Sequence, residues 1–454
     1  MRLESLLSTS LSFHNFIFHK SWQTLKRTRV HSSMATQTQA EEEKDSSVVA
    51  FHIVGDAFVD LFSFLDADWP EKGGDAKLRS PIQTFAGGSS TNTATHLNAL
   101  HSYFDAKHEF SADPVLHTTL NPNDLYGKIL LKHATKHGFP LINCKQENDV
   151  STTGHCVAIV AGQERSFMTY RGCVDTFHAT HLDVDAIVGS CSRDLHLHIA
   201  GFFNLDGFQH GSIAHQIQHI RKVRTEKFPT RETVVSLVPQ HDATKLWDGG
   251  IDELMPSLDF LIMNDLEALH IMQQGKKRAT SQTTTISTAP EPTNGAAMAT
   301  LVKDCAAYFH KKSPDTCVIL TRGPTGAVAL LNGKTIVEQD TVKVTPVDPT
   351  GAGDSFAAGF LHGLWAWRRK HSPPPTTTTT TTTTTNGGAG SGEPRQTNGC
   401  SWSAEEIRHG LVWGCAMGTS SVLTRGASIP SSREHIDHYR GQIEQLSANG
   451  KLHS

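Results

Sequence analysis

No two of the eight cysteines in this 454-residue chain stand in a C-x-x-C pair. Cys144, Cys156, Cys173, Cys191, Cys305, Cys317, Cys400 and Cys415 are dispersed, which argues against a zinc site or a disulfide framework and for a reducing compartment. No uncharged apolar run approaches the roughly 18 residues that a membrane-spanning helix requires. Excess positive charge is also missing: 41 Lys and Arg stand against 45 Asp and Glu, a formal net charge of −4. Such a surface has no bulk attraction for nucleic acid or an anionic membrane. The expectation is a soluble chain, with room for one large domain or up to about three ordinary ones, acting on a small neutral or anionic molecule.

Three stretches are too poor in apolar residues, or too biased, to join a core. Residues 1–33 carry Arg2, Lys20, Lys26, Arg27 and Arg29 against one acid, Glu4. That composition suits an organellar transit peptide, or equally a leader upstream of a second start at Met34, so the expected location is cytoplasmic or organellar. Residues 1–47 are therefore set apart from the fold. Residues 274–296 and 371–399, the latter with ten consecutive threonines from Thr376 to Thr385, read as low-complexity surface insertions. Loop closure costs only about 0.6 kcal/mol per doubling of length, so a fold tolerates them.

In the remainder, short apolar runs alternate with amphipathic stretches. "VVAFHIVG" (48–55), "LHLHIAGFF" (195–203), "TVVSLVP" (233–239), "LDFLIMN" (258–264) and "CVILTRG" (317–323) read as buried strands. "IAHQIQHIRKV" and "LVKDCAAYFHKK" read as helices between them. The class this implies is α/β, a mostly parallel sheet covered on both faces. "GHCVAIVAG" (154–162) and "ERSFMTYRG" (164–172) read as a β-hairpin that projects from that body and could cover a cleft.

Ligands of open α/β sheets bind beyond the carboxyl ends of the strands, so the polar residues there carry the functional signal. In "DPTGAGD" (348–354) the glycines let an anion approach the backbone, and a helix follows at once. The N–H groups of Gly351, Ala352, Gly353 and Asp354 would form an anion hole, with Asp354 accepting a proton from an attacking hydroxyl. A plain turn with Asp354 as helix N-cap accounts for the same residues. In "FAGGSSTNTATHLNAL" (85–100), Gly87-Gly88 admits a polyol to the backbone, and Asn92 offers it a donor and an acceptor. Asp60 could accept from two adjacent hydroxyls, or be a solvated strand end. Asn264 and Glu267 share one helical face, suited to holding water on Mg²⁺ or to an N-x-x-E capping box.

Together these elements resemble the PfkB/ribokinase family of small-molecule kinases, in which G-G-x-x-x-N and D-T-x-G-A-G-D are the two signatures. The resemblance covers roughly residues 48 to 435, and within a kinase domain of 48–440 it implies a ribokinase-like doubly wound sheet with a small β lid around 60–85 and 151–175. It further implies that Asp354 is the catalytic base and that Gly351, Ala352 and Gly353 form the anion hole. Asp60, Gly88 and Asn92 become sugar contacts, and Asn264 and Glu267 an element associated with Mg²⁺ and phosphate. Thr321, Gly323 and Gly326 of "TRGPTG" fall on the nucleotide side, Gly426 of "LTRGAS" near the adenine, and Asp348 where some members bind a monovalent cation such as K⁺. Lid residue Arg165 could reach a substrate anion or be an ordinary exposed charge.

Two departures stand out. Pro349 replaces the common Thr and stiffens the turn, and Cys415 stands where several members carry a polar or smaller residue. The implied activity is ATP-dependent phosphorylation of a primary hydroxyl on a sugar or sugar acid, with a homodimer through the lid. The alternatives are an adenosine-type nucleoside kinase, left open by Phe58 and Phe167, or a non-catalytic regulatory protein that keeps the fold.

Overall fold

The computed structural model describes residues 49–449 apart from 67, 105–113, 163, 190–193, 281–294 and 372–401. The leader, the threonine run and most of the first insertion lie outside the described residues. Among the described residues, no helix is long and apolar enough to cross a membrane. The six described cysteines are free thiols.

A nine-stranded sheet forms the body. It contains β1 (Val49–Gly55), β4 (Val115–Thr118), β5 (Leu141–Asn143), β8 (Asp194–Ala200), β9 (Thr233–Val238), β10 (Phe260–Asn264), β11 (Cys317–Thr321), β12 (Ala327–Leu331) and β13 (Lys334–Gln339). The order is β13-β12-β11-β10-β9-β8-β1-β4-β5, with β12 and β13 antiparallel and the neighbouring pairs from β5 to β11 parallel. The five apolar runs read from the sequence are β1, β8, β9, β10 and β11. All seven residues of β1 are buried, because parallel strands covered on both faces need apolar side chains in both directions.

The longer helices are α1 (Ser89–Phe104), α2 (Leu125–His137), α3 (Ser212–Lys227), α4 (Asp265–Thr280), α5 (Gly295–Lys312), α6 (Ala352–His371), α7 (Ala404–Ser421) and α8 (Arg433–Asn449). Each sheet face has its own core. Leu195, Leu197 and Ile199 of β8 pack in one cluster, and Phe51 and Ile53 of β1 join Phe360, Leu361, Leu364 and Trp365 of α6 in the other.

A separate four-stranded sheet, ordered β3-β2-β6-β7, is made of β2 (Phe58–Phe64), β3 (Gln83–Gly87), β6 (His155–Ala161) and β7 (Glu164–Tyr170). The last two are the expected hairpin, with Ala161 opposite Glu164. β2 leaves β1 after only two residues, so the lid hangs directly on the carboxyl end of β1.

Two boundaries differ from the sequence reading. Residues 274–280 are helical, not part of an insertion, since α4 continues to Thr280. Arg278 anchors that end to Asp248 at 2.7 Å and Asp252 at 3.0 Å, which polarity alone does not reveal. The ordered chain also runs past 440, because Ile436 and Ile443 are fully buried and draw α8 into the core.

Candidate active site

β1 lies between β8 and β4, with β4 and β5 placed to one side and β8 to β11 to the other, so the strand order reverses there. Such a switch point is where open α/β sheets hold ligands. The first helix built there is α1, and its thirteen residues from Ser89 to His101 are all buried despite being rich in Ser, Thr, Asn and His. Gly88, which precedes it, has φ +89°, and a Cβ would lie 2.6 Å from the Asp56 carbonyl oxygen. Only glycine allows the chain to turn this close to β1.

α6 begins in the same place. Gly351 has φ +75°, and a Cβ there would lie 2.5 Å from the Ala427 side chain. By contrast, nothing lies within 4 Å of where a Gly353 Cβ would stand, so its lack of a side chain leaves open space at the helix start. Asp354 is the third residue of α6, and therefore not its N-cap. Its carboxylate is held by α1: Ser89 Oγ donates to Oδ1 at 2.6 Å and Asn92 Nδ2 to Oδ2 at 2.8 Å. Of the four N–H groups assigned to the anion hole, that of Ala352 turns back to Pro349 O at 3.2 Å. Those of Gly351, Gly353 and Asp354 lie at a helix start, where N–H groups lack intrahelical acceptors and the dipole favours an anion.

Burial pushes the Asp354 carboxyl up to about 6, against the pull of the Asn92 and Ser89 donors. Asp60 rises to about 7 through burial and the charges of Asp354 and Asp348. Glu267 also rises to about 7, through burial with Asp354 adding to it. A fourth acid, Asp56, is fully buried and likewise reaches about 7, mainly from burial, with Asn204 opposing at 2.6 Å. The field of Asp354 thus reaches each of the other three.

Asn264 and Glu267 form the reciprocal cap: Glu267 N donates to Asn264 Oδ1 at 2.8 Å, and Asn264 N to Glu267 Oε2 at 3.0 Å. Asp348 Oδ1 receives the Thr350 N–H at 3.0 Å and Oδ2 the Gly426 N–H at 3.1 Å, which gives Gly426 a bond to the loop. Arg165 Nη1, from the lid, reaches Asp348 Oδ1 at 2.6 Å and Thr350 Oγ1 at 2.9 Å. Burial alone would raise the Asp348 carboxyl, but the Thr350 and Gly426 bonds and the Arg165 charge hold it below the usual range.

Beside the Asp354 helix start lies a largely apolar cleft of about 360 Å³. Thr321, Gly323 and Gly326 line it together with Ala352, Gly353 and Cys415, so the proposed nucleotide loop and anion hole face one space. Burial pushes the Cys415 thiol up to about 12, which leaves a small apolar wall there. Phe58 is buried in the core and Phe167 is 53% exposed on the lid.

Sequence reasoning missed Asp56, Ser89 and Asn204. Asp56 was legible as the other acid of "GDAFVD", at the end of β1. Ser89 and Asn204 carry no local signal, since their roles come from partners 265 and 148 residues away.

The model of the pfkB family carbohydrate kinases matches residues 52–372. Over 224 residues the chain is 27% identical to an adenosine kinase of Schizophyllum commune, covering 48% of this chain and 58% of that one. The match therefore spans little more than half of the curated relative's length. In structure the chain is similar to a ribokinase from Giardia lamblia, with a TM-score of 0.58, 16% identity, and 89% and 100% of the two chains covered. It is also similar to a Vibrio cholerae fructokinase solved with fructose, ADP and a potassium ion, with a TM-score of 0.52, 15% identity, and 87% and 99% covered. These two likenesses bear on the fold alone.

Proposed function

The chain belongs to the pfkB family of carbohydrate kinases, phosphotransferases with an alcohol acceptor, and from that premise we propose that it transfers the γ-phosphoryl group of ATP to a primary hydroxyl of a sugar or sugar acid. The observation that carries this reading is the carboxylate of Asp354, held by Ser89 and Asn92 at the glycine-rich start of α6. Near neutral pH a carboxyl raised to about 6 is mostly ionised, yet basic enough to take a proton.

In the reaction Asp354 accepts the hydroxyl proton as the substrate oxygen bonds to the γ-phosphorus and the bond to the β-phosphate bridge oxygen breaks. The N–H groups of Gly351, Gly353 and Asp354 hold the charge on the transferring group. Asn92 orients the base through Nδ2, and its Oδ1 is buried without a partner, as suits an acceptor for a substrate hydroxyl. Asp60 grips a second hydroxyl at the back of Gly87, where a Cβ would fall 2.2 Å from its Oδ2. The apolar cleft with Thr321, Gly323 and Gly326 takes the nucleotide. Bound with ATP, Mg²⁺ would supply neutralisation of the phosphate charge. Glu267, a buried acid beside the charge of Asp354, fits an outer contact to that cation through water.

A second reading, a nucleoside kinase of the adenosine type, is favoured by the 27% identity to the fungal adenosine kinase. Heating the chain with a panel of sugars, sugar acids and nucleosides separates the two, because only ligands of the folded state raise its melting temperature. A shift with sugars or sugar acids supports the first reading, and a shift confined to nucleosides replaces it with the second.

A further inference from the structure

The relative from Vibrio cholerae is described with a potassium ion, and the sequence resemblance puts a monovalent cation at Asp348. The residues around Asp348 do not fit one. Its carboxylate is almost fully buried, and Oδ1 already holds the Arg165 guanidinium at 2.6 Å. The other oxygen receives the Gly426 N–H, and the Thr350 N–H adds a second bond to Oδ1. A metal ion placed against this carboxylate would stand beside the Arg165 positive charge and compete with three donors already bonded to its oxygens.

We propose that Arg165 is a built-in replacement for the monovalent cation, so that the loop leading into the anion hole is charge-balanced from the lid and not by K⁺. Arg165 is the second residue of β7, at the tip of the lid hairpin. From there it bonds both Asp348 and Thr350, the residues that set the turn into Gly351. The positive charge on the loop is therefore supplied by the lid. Burying the Asp348 carboxylate without such a partner would be costly, which is why the pair has to be satisfied internally or by an ion. Arg165 acts here as a positioning residue for the anion hole. The proposal uses the kinase reading for its activity measurement only.

The test compares K⁺ with tetramethylammonium, each as chloride, at one ionic strength of about 0.1 M, since a difference then reports specific ion binding and not screening. The first readout is the melting temperature of the substrate-free chain, and the second is the phosphorylation rate on the best ligand of the thermal panel. For the wild type, K⁺ should change the melting temperature by less than about 1 °C and the rate by less than about twofold. Arg165→Met removes the charge at similar length and bares Asp348, so this variant should gain melting temperature and rate in K⁺. Arg165→Lys keeps a charge and should remain indifferent.

A wild-type chain that K⁺ stabilises by several degrees, or activates more than about fivefold, overturns the proposal and needs no variant to fold. So does an Arg165→Met protein that is no more responsive to K⁺ than the wild type. The melting arm contains no substrate, so a chain that phosphorylates nothing would sink the kinase reading while leaving the ion result standing.

Discussion

Asn92 and Asp354 are 262 residues apart in sequence and 2.8 Å apart as donor and acceptor, joining the starts of α1 and α6 into one site. This contact divides the asparagine's labour. Its nitrogen fixes the base, and its oxygen remains as a buried acceptor. Neither of the two signature motifs is sufficient alone, because the carboxylate belongs to one and its donors to the other.

The Ser89 hydroxyl gives the first prediction. It donates to Asp354 Oδ1 and favours the ionised form. Ser89→Ala removes that donor, so the base pKa rises and the acid limb of the pH–rate profile moves to higher pH, by about one unit, the order expected for a lost hydrogen bond to a carboxylate. The plateau above that limb should stay within a few-fold of wild type. A lower plateau with an unmoved limb would mean that Ser89 only packs.

How much of this was legible follows from which contacts are local. The apolar runs of β1, β8, β9, β10 and β11 announce themselves because a strand covered on both faces cannot carry solvated polar side chains. The histidines of β8 are the exception: His196 accepts from Trp365 Nε1 at 2.8 Å, and both His196 and His198 reach Ser236 Oγ at 2.7 Å. Periodicity shows that these positions are buried, but only the fold shows what satisfies them. Likewise "DPTGAGD" and "GGSSTN" advertise close backbone approach through their glycines. The link from Arg165 to Asp348 depends on where the lid lands, which no local pattern encodes. Asn264 and Glu267 show the opposite case, where a spacing suited to two roles forms the capping bonds outright.

Buried histidine gives a prediction about acid. Burial holds His362 of α6 well below 6.5, with His101, His409 and Arg440 adding to the effect. The fold keeps it neutral, while the unfolded chain binds a proton below about 6.5, so stability falls as pH drops through that point, by about 1.4 kcal/mol per unit for one such group. Asp56, Asp60 and Glu267, raised to about 7, act in the opposite sense, binding protons in the fold as pH falls from above 7. A difference measurement isolates the histidine. His362→Phe should gain on wild type by roughly 2 kcal/mol between pH 6.5 and 5 in denaturant unfolding, whatever it does at pH 7.5. A gap independent of pH would show that His362 titrates alike in both states.

The lid edge bears on assembly. β7 is the outermost strand of its sheet, and Phe167, Met168 and Tyr170 on it are 53%, 52% and 49% exposed. An edge strand with exposed apolar side chains invites pairing with another chain, and the homodimer proposed from the sequence would use it. Light scattering should then find a dimer at micromolar concentration, and Phe167→Lys combined with Met168→Glu should return it to a monomer. A wild type that stays monomeric removes the proposal.

The most direct test of the site is Asp354→Asn, because it keeps size and shape while removing the proton acceptor. Asp354 is not the helix cap, so capping predicts no role for it. Two donors now face its side chain, and an amide can accept from only one of them through its single oxygen. Its nitrogen must oppose Ser89 Oγ or Asn92 Nδ2, of which the hydroxyl can rotate to accept. A carboxyl raised to about 6 costs the fold free energy when ionised at pH 8, so the neutral variant should melt no lower than wild type there. ATP should bind as well or slightly tighter, since a negative charge that repels the phosphates is gone. Against that unchanged background kcat should fall by at least about a hundredfold, the lower end of what a general base contributes. A purified variant that keeps more than about a tenth of wild-type kcat on the best ligand of the thermal panel would rule Asp354 out as the base, because so small a loss is within reach of a positional change alone.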